Sequence, residues 1–206
     1  MNNLENKKGD SEIDVSEFYE DRFKLKEQTL STLTKTIISL NDSAPKEFKV
    51  VFNIAAFVNV ISYDILVICR DILIAESKWQ KKHYSRQAVL VIYETINDLF
   101  EILGKDFKSL TMKIQNMDFQ LDIKEFRSKL NQFKENHFSQ LQTIRNASTA
   151  HREHDAVKQL TSILTIDEDS ILEITFEFEG ILHDLEKILQ EFFKEIKKDI
   201  ENGKKI

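Results

Sequence analysis

The sequence predicts an all-α fold, a bundle of five to six helices in which the N-terminal and C-terminal helices are long. The first observation is the scarcity of residues that break helices. Pro45 is the only proline, and only Gly104 and Gly180 of the four glycines lie outside the terminal segments. Compact β proteins need frequent turns rich in glycine and proline. The second observation is that apolar residues recur at intervals of three and four, which is the period of an α-helix.

The composition is that of a folded protein rather than of a disordered or membrane-embedded chain. The 206 residues, 41% of them hydrophobic and 31% charged, are enough for one domain with a substantial core. The net charge of −6 does not attract nucleic acid to the whole surface, so an RNA-directed activity would need a local basic site. Cys69 is the only cysteine, which excludes an intramolecular disulfide and fits a reducing cytosol. Because the polar N-terminus has no signal-peptide pattern, we expect a cytoplasmic protein.

A capping serine and a proline predict where the first two helices begin. Residues 1–15 predict a disordered tail, and residues 16–206 predict a single helical bundle domain. Ser16 can cap a first helix that runs to about Leu40. Residues 41–45 predict a loop, and Pro45 suits the first turn of a second helix that runs to about Trp79.

The stretch 50–75 is the most apolar part of the chain and resembles a membrane span in its hydropathy. It nevertheless contains Asn53, Asn59 and three charged residues, Asp64, Arg70 and Asp71. Charged groups are costly at the centre of a bilayer. The sequence therefore predicts a buried bundle helix here and no association with a membrane.

The middle of the chain predicts a third helix and a short fourth piece. Ser85 is the expected cap of the third helix, which continues to Leu103 with a helical period. Gly104 is expected to end or bend it. A shorter helical piece then runs to about Ile114, and residues 116–118 predict a turn.

The C-terminal half predicts two long helices. One covers residues 121–151, and residues 155–164 form either a short helix or an irregular link. Residues 167–169 lead into a last helix that ends near Ile200. Its apolar positions alternate steps of three and four, as in close, nearly parallel helix packing. Packing within its own bundle is favoured over an intermolecular coiled coil, since the pattern lasts only about three heptads.

The candidate functional residues lie in the run 144–151, which contains Arg145, Asn146 and His151. Arginine is a permanent cation that can donate two parallel hydrogen bonds to phosphate oxygens. Histidine exchanges protons near neutral pH. On a regular helix Arg145 and His151 would lie about 9 Å apart along the axis and about 120° apart around it. A helix end or bend near Ala150 could bring both side chains to one pocket.

This run resembles the signature of the HEPN superfamily, an arginine, usually followed by a polar residue, and a histidine after four to six further residues. Here five residues separate Arg145 from His151, and Asn146 has the preferred polar position. The setting is also similar, because the motif lies late in a small helical domain and near a helix end.

The resemblance implies a metal-independent endoribonuclease of a toxin–antitoxin, phage-defence or RNA-processing system, usually a homodimer with both motifs in one cleft. His151 would transfer a proton, Arg145 would stabilise charge on the phosphate, and Asn146 would orient a side chain or bind the backbone. The products would be a 2′,3′-cyclic phosphate and a 5′-hydroxyl, formed without a cofactor. Some HEPN proteins instead bind nucleotides or serve as assembly modules, so a non-catalytic module with an antitoxin or nucleotidyltransferase partner is the alternative.

Two simpler interpretations stand beside this one. An arginine near a helix C-terminus often only caps carbonyl groups or pairs with a carboxylate. His151, His154 and Asp155 could suggest a zinc site, but no second ligand pair has a recognisable spacing, so the sequence predicts no metal. We place Arg152 and His154 at the rim of the phosphate pocket as substrate-binding candidates.

The third helix supplies the remaining candidates. Tyr93 and Glu94 follow Arg86 by seven and eight residues, so all three fall near one stripe, where Glu94 could hold Arg145. An ordinary ion pair is the favoured alternative. Lys82 and Arg86 belong to a basic cluster interleaved with aromatic residues, and such a cluster can bind single-stranded nucleic acid. A solvated helix junction has the same composition. With these alternatives open, Lys82 and Arg86 are predicted substrate contacts.

Overall fold

The computed structural model describes residues 15–40, 46–114, 116–147 and 156–201, and this part of the chain contains helices and no strand. The helices in chain order are α1 (Val15–Ser39), α2 (Lys46–Ile74), α3 (Lys78–Ile102), α4 (Lys105–Thr111), α5 (Met117–Arg145), α6 (Ala156–Leu164) and α7 (Glu168–Glu201). The predicted all-α class is confirmed, and the described residues form seven helices rather than five to six. The predicted tail lies outside the described residues apart from Val15, which begins α1. The predicted loop 41–45, with Pro45, also lies outside them.

Four long helices enclose the core. Helices α3 and α7 contact each other across the middle of the bundle, and α2 and α5 each pack against both of them. Helix α1 lies on the outside of α2 and buries a single side chain, Tyr19. This arrangement places the end of α5 beside α3, which positions the candidate site.

Helix α7 is the central helix of the bundle, and its heptad pattern is used within the chain. Every apolar position in that pattern is buried against the neighbouring helices: Ile171, Ile174, Phe178, Ile181, Leu185, Ile188 and Phe192. The predicted packing of this helix within its own bundle is therefore confirmed.

Helix α2 carries the apolar stretch that resembles a membrane span. Within Phe48–Ile74 a stretch of 18 residues has a mean hydropathy of 2.0, so length and composition alone would allow this helix to cross a membrane. One face is buried in the bundle, at Val51, Ile54, Val58, Ile65 and Cys69. The core helix of a soluble bundle has the same hydropathy, and this buried face agrees with the predicted bundle helix.

The start of the third helix differs from the prediction. Helix α3 begins at Lys78, and its cap is Ser77 rather than Ser85. The Ser77 hydroxyl accepts a hydrogen bond from the backbone N–H of Gln80, and the Gln80 side chain accepts one from the backbone N–H of Ser77. This reciprocal capping box satisfies two donors that the helix itself leaves unbonded. Ser85 lies inside α3, seven residues after its first residue, where it is fully buried and cannot cap the helix.

The two following junctions are made by glycine and asparagine. Gly104 lies between α3 and α4 and ends α3, as predicted. Asn116 caps α5, because its side-chain oxygen accepts hydrogen bonds from the backbone N–H groups of Asp118 and Phe119. Helix α5 therefore starts at Met117, before the predicted position 121. Residues 156–164 adopt the helical alternative, as α6.

Candidate phosphate-binding site at the end of α5

Arg145 is the last residue of α5, and Asn146 and Ala147, where this described stretch ends, continue it in π-helical conformation. The backbone N–H of Asn146 is shared between the carbonyl oxygens of Gln142 and Thr143. The helix thus changes its geometry before the predicted bend at Ala150. Short π turns often occur at functional positions in helices.

The guanidinium group of Arg145 is held by a carboxylate from α3. Its Nε and Nη2 atoms both donate to Oε1 of Glu94, at 2.9 and 2.6 Å. Its Nη1 atom donates to Oδ1 of Asn146 at 3.3 Å. The predicted contact between Glu94 and Arg145 is therefore present, and an ordinary interhelical ion pair would have the same geometry.

An aromatic ring supports the same guanidinium group from another side. Arg145 lies over the Tyr93 ring, 5.0 Å from its centroid. Tyr93 stacks on Phe138 of α5, with ring centroids 4.8 Å apart and an angle of 22° between the planes. Lys134 lies 5.0 Å from the Phe138 centroid, on the same seam between α3 and α5. Stacked rings and cation–π contacts each add a modest stabilisation, so this row fixes the position of Arg145.

The arginine remains accessible in spite of these contacts. Its side chain keeps 25% of its surface exposed, and the Glu94 side chain keeps 48%. The pair thus lies at the surface, where a dissolved anion can reach it. A cavity of about 380 Å³ adjoins the same end of α5 and is lined by Ala147, by Val157 and Thr161 of α6, and by Thr165 just after α6.

The structure places Lys82 away from solvent. Only 8% of this residue is exposed. Its ammonium group donates to the carbonyl oxygen of Ile166 and, at 3.2 Å, to Oε2 of Glu168. These contacts join α3 to the start of α7, so we leave Lys82 out of the site proposed below.

Arg86 lies on α3 two turns before Tyr93, about 10 Å along the helix axis. Its Nε atom is buried and has no hydrogen-bond partner within the described residues. A buried unpaired donor of this kind is uncommon. The prediction that Arg86 contacts the substrate remains a prediction.

The other predicted residues, His151, Arg152 and His154, lie outside the described residues. The convergence of His151 on Arg145 is therefore still a prediction. Within the described part of the chain, no group of three or more histidine, cysteine or carboxylate side chains could hold a metal ion.

Sequence reasoning missed Lys134 and Phe138 as neighbours of the motif. Lys134, Phe138 and Arg145 are separated by four and seven residues, which places them on one stripe of α5. That spacing was the available signal.

A second groove, of about 640 Å³, lies between α1, α2 and α7 and contains none of the predicted site residues. Two ion pairs bridge it, Arg22 with Glu179 and Lys26 with Glu186. Ser62 of α2 also donates to Glu186, at 2.7 Å. These ion pairs join α1 to α7 across the groove.

The chain matches no protein-family model, no curated protein and no solved structure.

Proposed function

We propose that this protein is a HEPN-like, metal-independent endoribonuclease in which Arg145 binds the phosphate at the cleaved bond and His151 transfers protons. The observation that carries the proposal is the placement of Arg145. Its guanidinium group contacts Glu94 and Tyr93 and is partly exposed. Arg145 ends α5, shortly before His151 in the sequence.

The proposed reaction needs only protein side chains, water and the RNA itself. The ribose 2′-oxygen attacks the neighbouring phosphorus, the bond to the 5′-oxygen of the next nucleotide breaks, and a 2′,3′-cyclic phosphate forms. The 2′-hydroxyl loses a proton and the leaving 5′-oxygen gains one, so His151 makes one of these two transfers and water makes the other. Arg145 stabilises the negative charge that develops on the phosphate oxygens, and Asn146 helps to orient it.

The biological setting of the proposal comes from the resemblance. A HEPN-like enzyme would act as a homodimer in the cytoplasm, in a stress, toxin–antitoxin or phage-defence role. Its net charge of −6 favours a local RNA contact at the site over broad attraction of the polymer.

The test is RNA cleavage in excess EDTA, with the wild-type chain, Arg145→Ala and His151→Ala compared after circular dichroism has shown that all are folded. We expect cleavage by the wild type to survive the chelator and to fall by about 100-fold or more in both variants. His183→Ala is the matched control, because this histidine is exposed on α7 and should not affect cleavage. Equal cleavage by all four proteins, or none by the wild type, would contradict the proposal.

The alternative function is a non-catalytic module that binds a partner protein, such as an antitoxin or a nucleotidyltransferase, or a nucleotide. The observation that favours it is an exposed apolar stripe on α6, with Val157 72%, Leu160 48% and Leu164 58% exposed. Such stripes are typical of helices that dock against another protein. A Leu160→Asp variant should then lose partner binding in a pull-down and keep its melting temperature.

A further inference from the structure

We propose that Glu94 is a built-in competitor for the phosphate site, and that RNA must displace its carboxylate from Arg145 in order to bind. This inference takes the phosphate-binding role of Arg145 from the proposed function and adds a form of regulation to it.

The geometry of the pair carries the inference. Nε and Nη2 of an arginine form one of the two forks with which it binds carboxylates and phosphates. In this protein both atoms donate to a single carboxylate oxygen of Glu94, at 2.9 and 2.6 Å. The third nitrogen, Nη1, donates to Asn146. An anionic oxygen thus already occupies the position that a phosphate oxygen would take.

The carboxylate is placed so that it can leave. The Glu94 side chain is 48% exposed, and ion pairs at such exposed positions contribute little to stability. Arg145 stays in place when Glu94 leaves, because the Tyr93 ring still lies under its guanidinium group, 5.0 Å away at the centroid. Displacement therefore exchanges one anion for another on a cation that is already positioned.

A different role for Glu94 predicts the opposite result. If Glu94 only positioned Arg145, the phosphate would bind through the remaining N–H groups of Nη1 and Nη2. Removal of the carboxylate would then let the guanidinium group move and would weaken phosphate binding. The sign of the change in affinity thus distinguishes competition from positioning.

The test is Glu94→Gln, which keeps the shape of the side chain and removes its charge. The Arg145 Nε–H resonance of the ¹⁵N-labelled protein is first assigned as the signal that disappears in the Arg145→Lys variant. Inorganic phosphate is then titrated into the protein, and the shift of this resonance is followed. We expect Glu94→Gln to reach half-saturation at a phosphate concentration about three- to tenfold lower than the wild type, because one negative charge next to the phosphate has been removed. The KM for RNA should fall by a similar factor.

The matched control is Glu101→Gln, which removes a negative charge from the same helix two turns away. It should leave the phosphate titration nearly unchanged. Glu94→Ala is a second variant with the same expected direction, in case the amide of glutamine keeps a hydrogen bond to Arg145. Both variants are compared with the wild type as folded protein, on the ¹⁵N spectrum.

Unchanged or weaker phosphate binding in both Glu94 variants would overturn the inference. Failure of the proposed function looks different. If phosphate binds more tightly to the Glu94 variants but Arg145→Ala cleaves RNA as the wild type does, the competition stands and the endoribonuclease assignment fails.

Discussion

Replacement of Lys82 by methionine should destabilise the bundle. The ammonium group of Lys82 donates to the Ile166 carbonyl and to the Glu168 carboxylate, so it holds the start of α7 against α3. Methionine keeps the apolar stem and removes the donor. Both acceptors then lose their partner at a site where only 9% of the Lys82 side chain is exposed.

The magnitude follows from these contacts. A hydrogen bond that involves a charged group contributes about 1.5–3 kcal/mol. Breaking a buried ion pair costs about 3–5 kcal/mol when the remaining charge stays buried. Because 18% of the Glu168 side chain is exposed and water can reach it, we expect the free energy of unfolding to fall by about 2–3 kcal/mol. For a chain of this size that lowers the melting temperature by roughly 4–12 °C.

Urea denaturation at pH 7 measures the change, and a double-mutant cycle with Glu168→Gln isolates the part due to the pair. A Lys82→Met protein as stable as the wild type would refute the reasoning. If that protein were fully stable and bound RNA more weakly, Lys82 would instead be the substrate contact that the sequence predicts.

The same pair should make the difference between wild type and variant depend on pH. Burial by itself would raise the pKa of Glu168. A hydrogen bond from its own backbone N–H and the contact with the Lys82 ammonium group together lower that pKa by more, so it lies below its ordinary value of 4.5. A pKa that is lowered in the folded state stabilises the protein above the unfolded pKa. This contribution is lost as the pH falls through the folded pKa. The stability difference should therefore shrink as urea denaturation is repeated from neutral pH down to below about pH 4.

Four further predictions concern stability and reactivity. Gly180→Ala should raise the free energy of unfolding by about 0.5–1 kcal/mol in urea denaturation, because a Cβ there meets no atom within 4 Å and alanine favours a helix interior. Gly104→Ala should lower it, since a Cβ would lie 2.8 Å from the Glu101 carbonyl oxygen, and equal effects of the two changes would contradict this. Burial raises the pKa of the Cys69 thiol to about 12, so we expect no reaction with a thiol reagent at pH 8 until denaturant is added. Ser77→Ala should cost about 1 kcal/mol through loss of the α3 cap, and an unchanged urea midpoint would argue against the capping box.

Much of the fold follows from local signals in the sequence. The heptad of α7 predicted its buried face, because a stripe of large apolar residues must pack against other helices wherever it lies. Gly104 predicted the end of α3. The start of α3 was misplaced because two serines could each have capped a helix. The competing Ser77 has a glutamine three residues later, and the reciprocal hydrogen bonds of that pair favour the earlier start.

The candidate site divides in the same way. The sequence by itself determined which chemistry is available, since Arg145, Asn146 and His151 lie within seven residues of the chain and their functional groups do not depend on the fold. Only the tertiary structure decided what surrounds Arg145. Its partner Glu94 is 51 residues away, and the contact depends on how α3 packs against α5. The burial of Lys82 also depends on the tertiary structure. This residue lies in a polar run of the sequence, but it is buried because the start of α7 packs beside it. Contacts between distant residues depend on the packing of whole helices, which no local pattern of residues specifies.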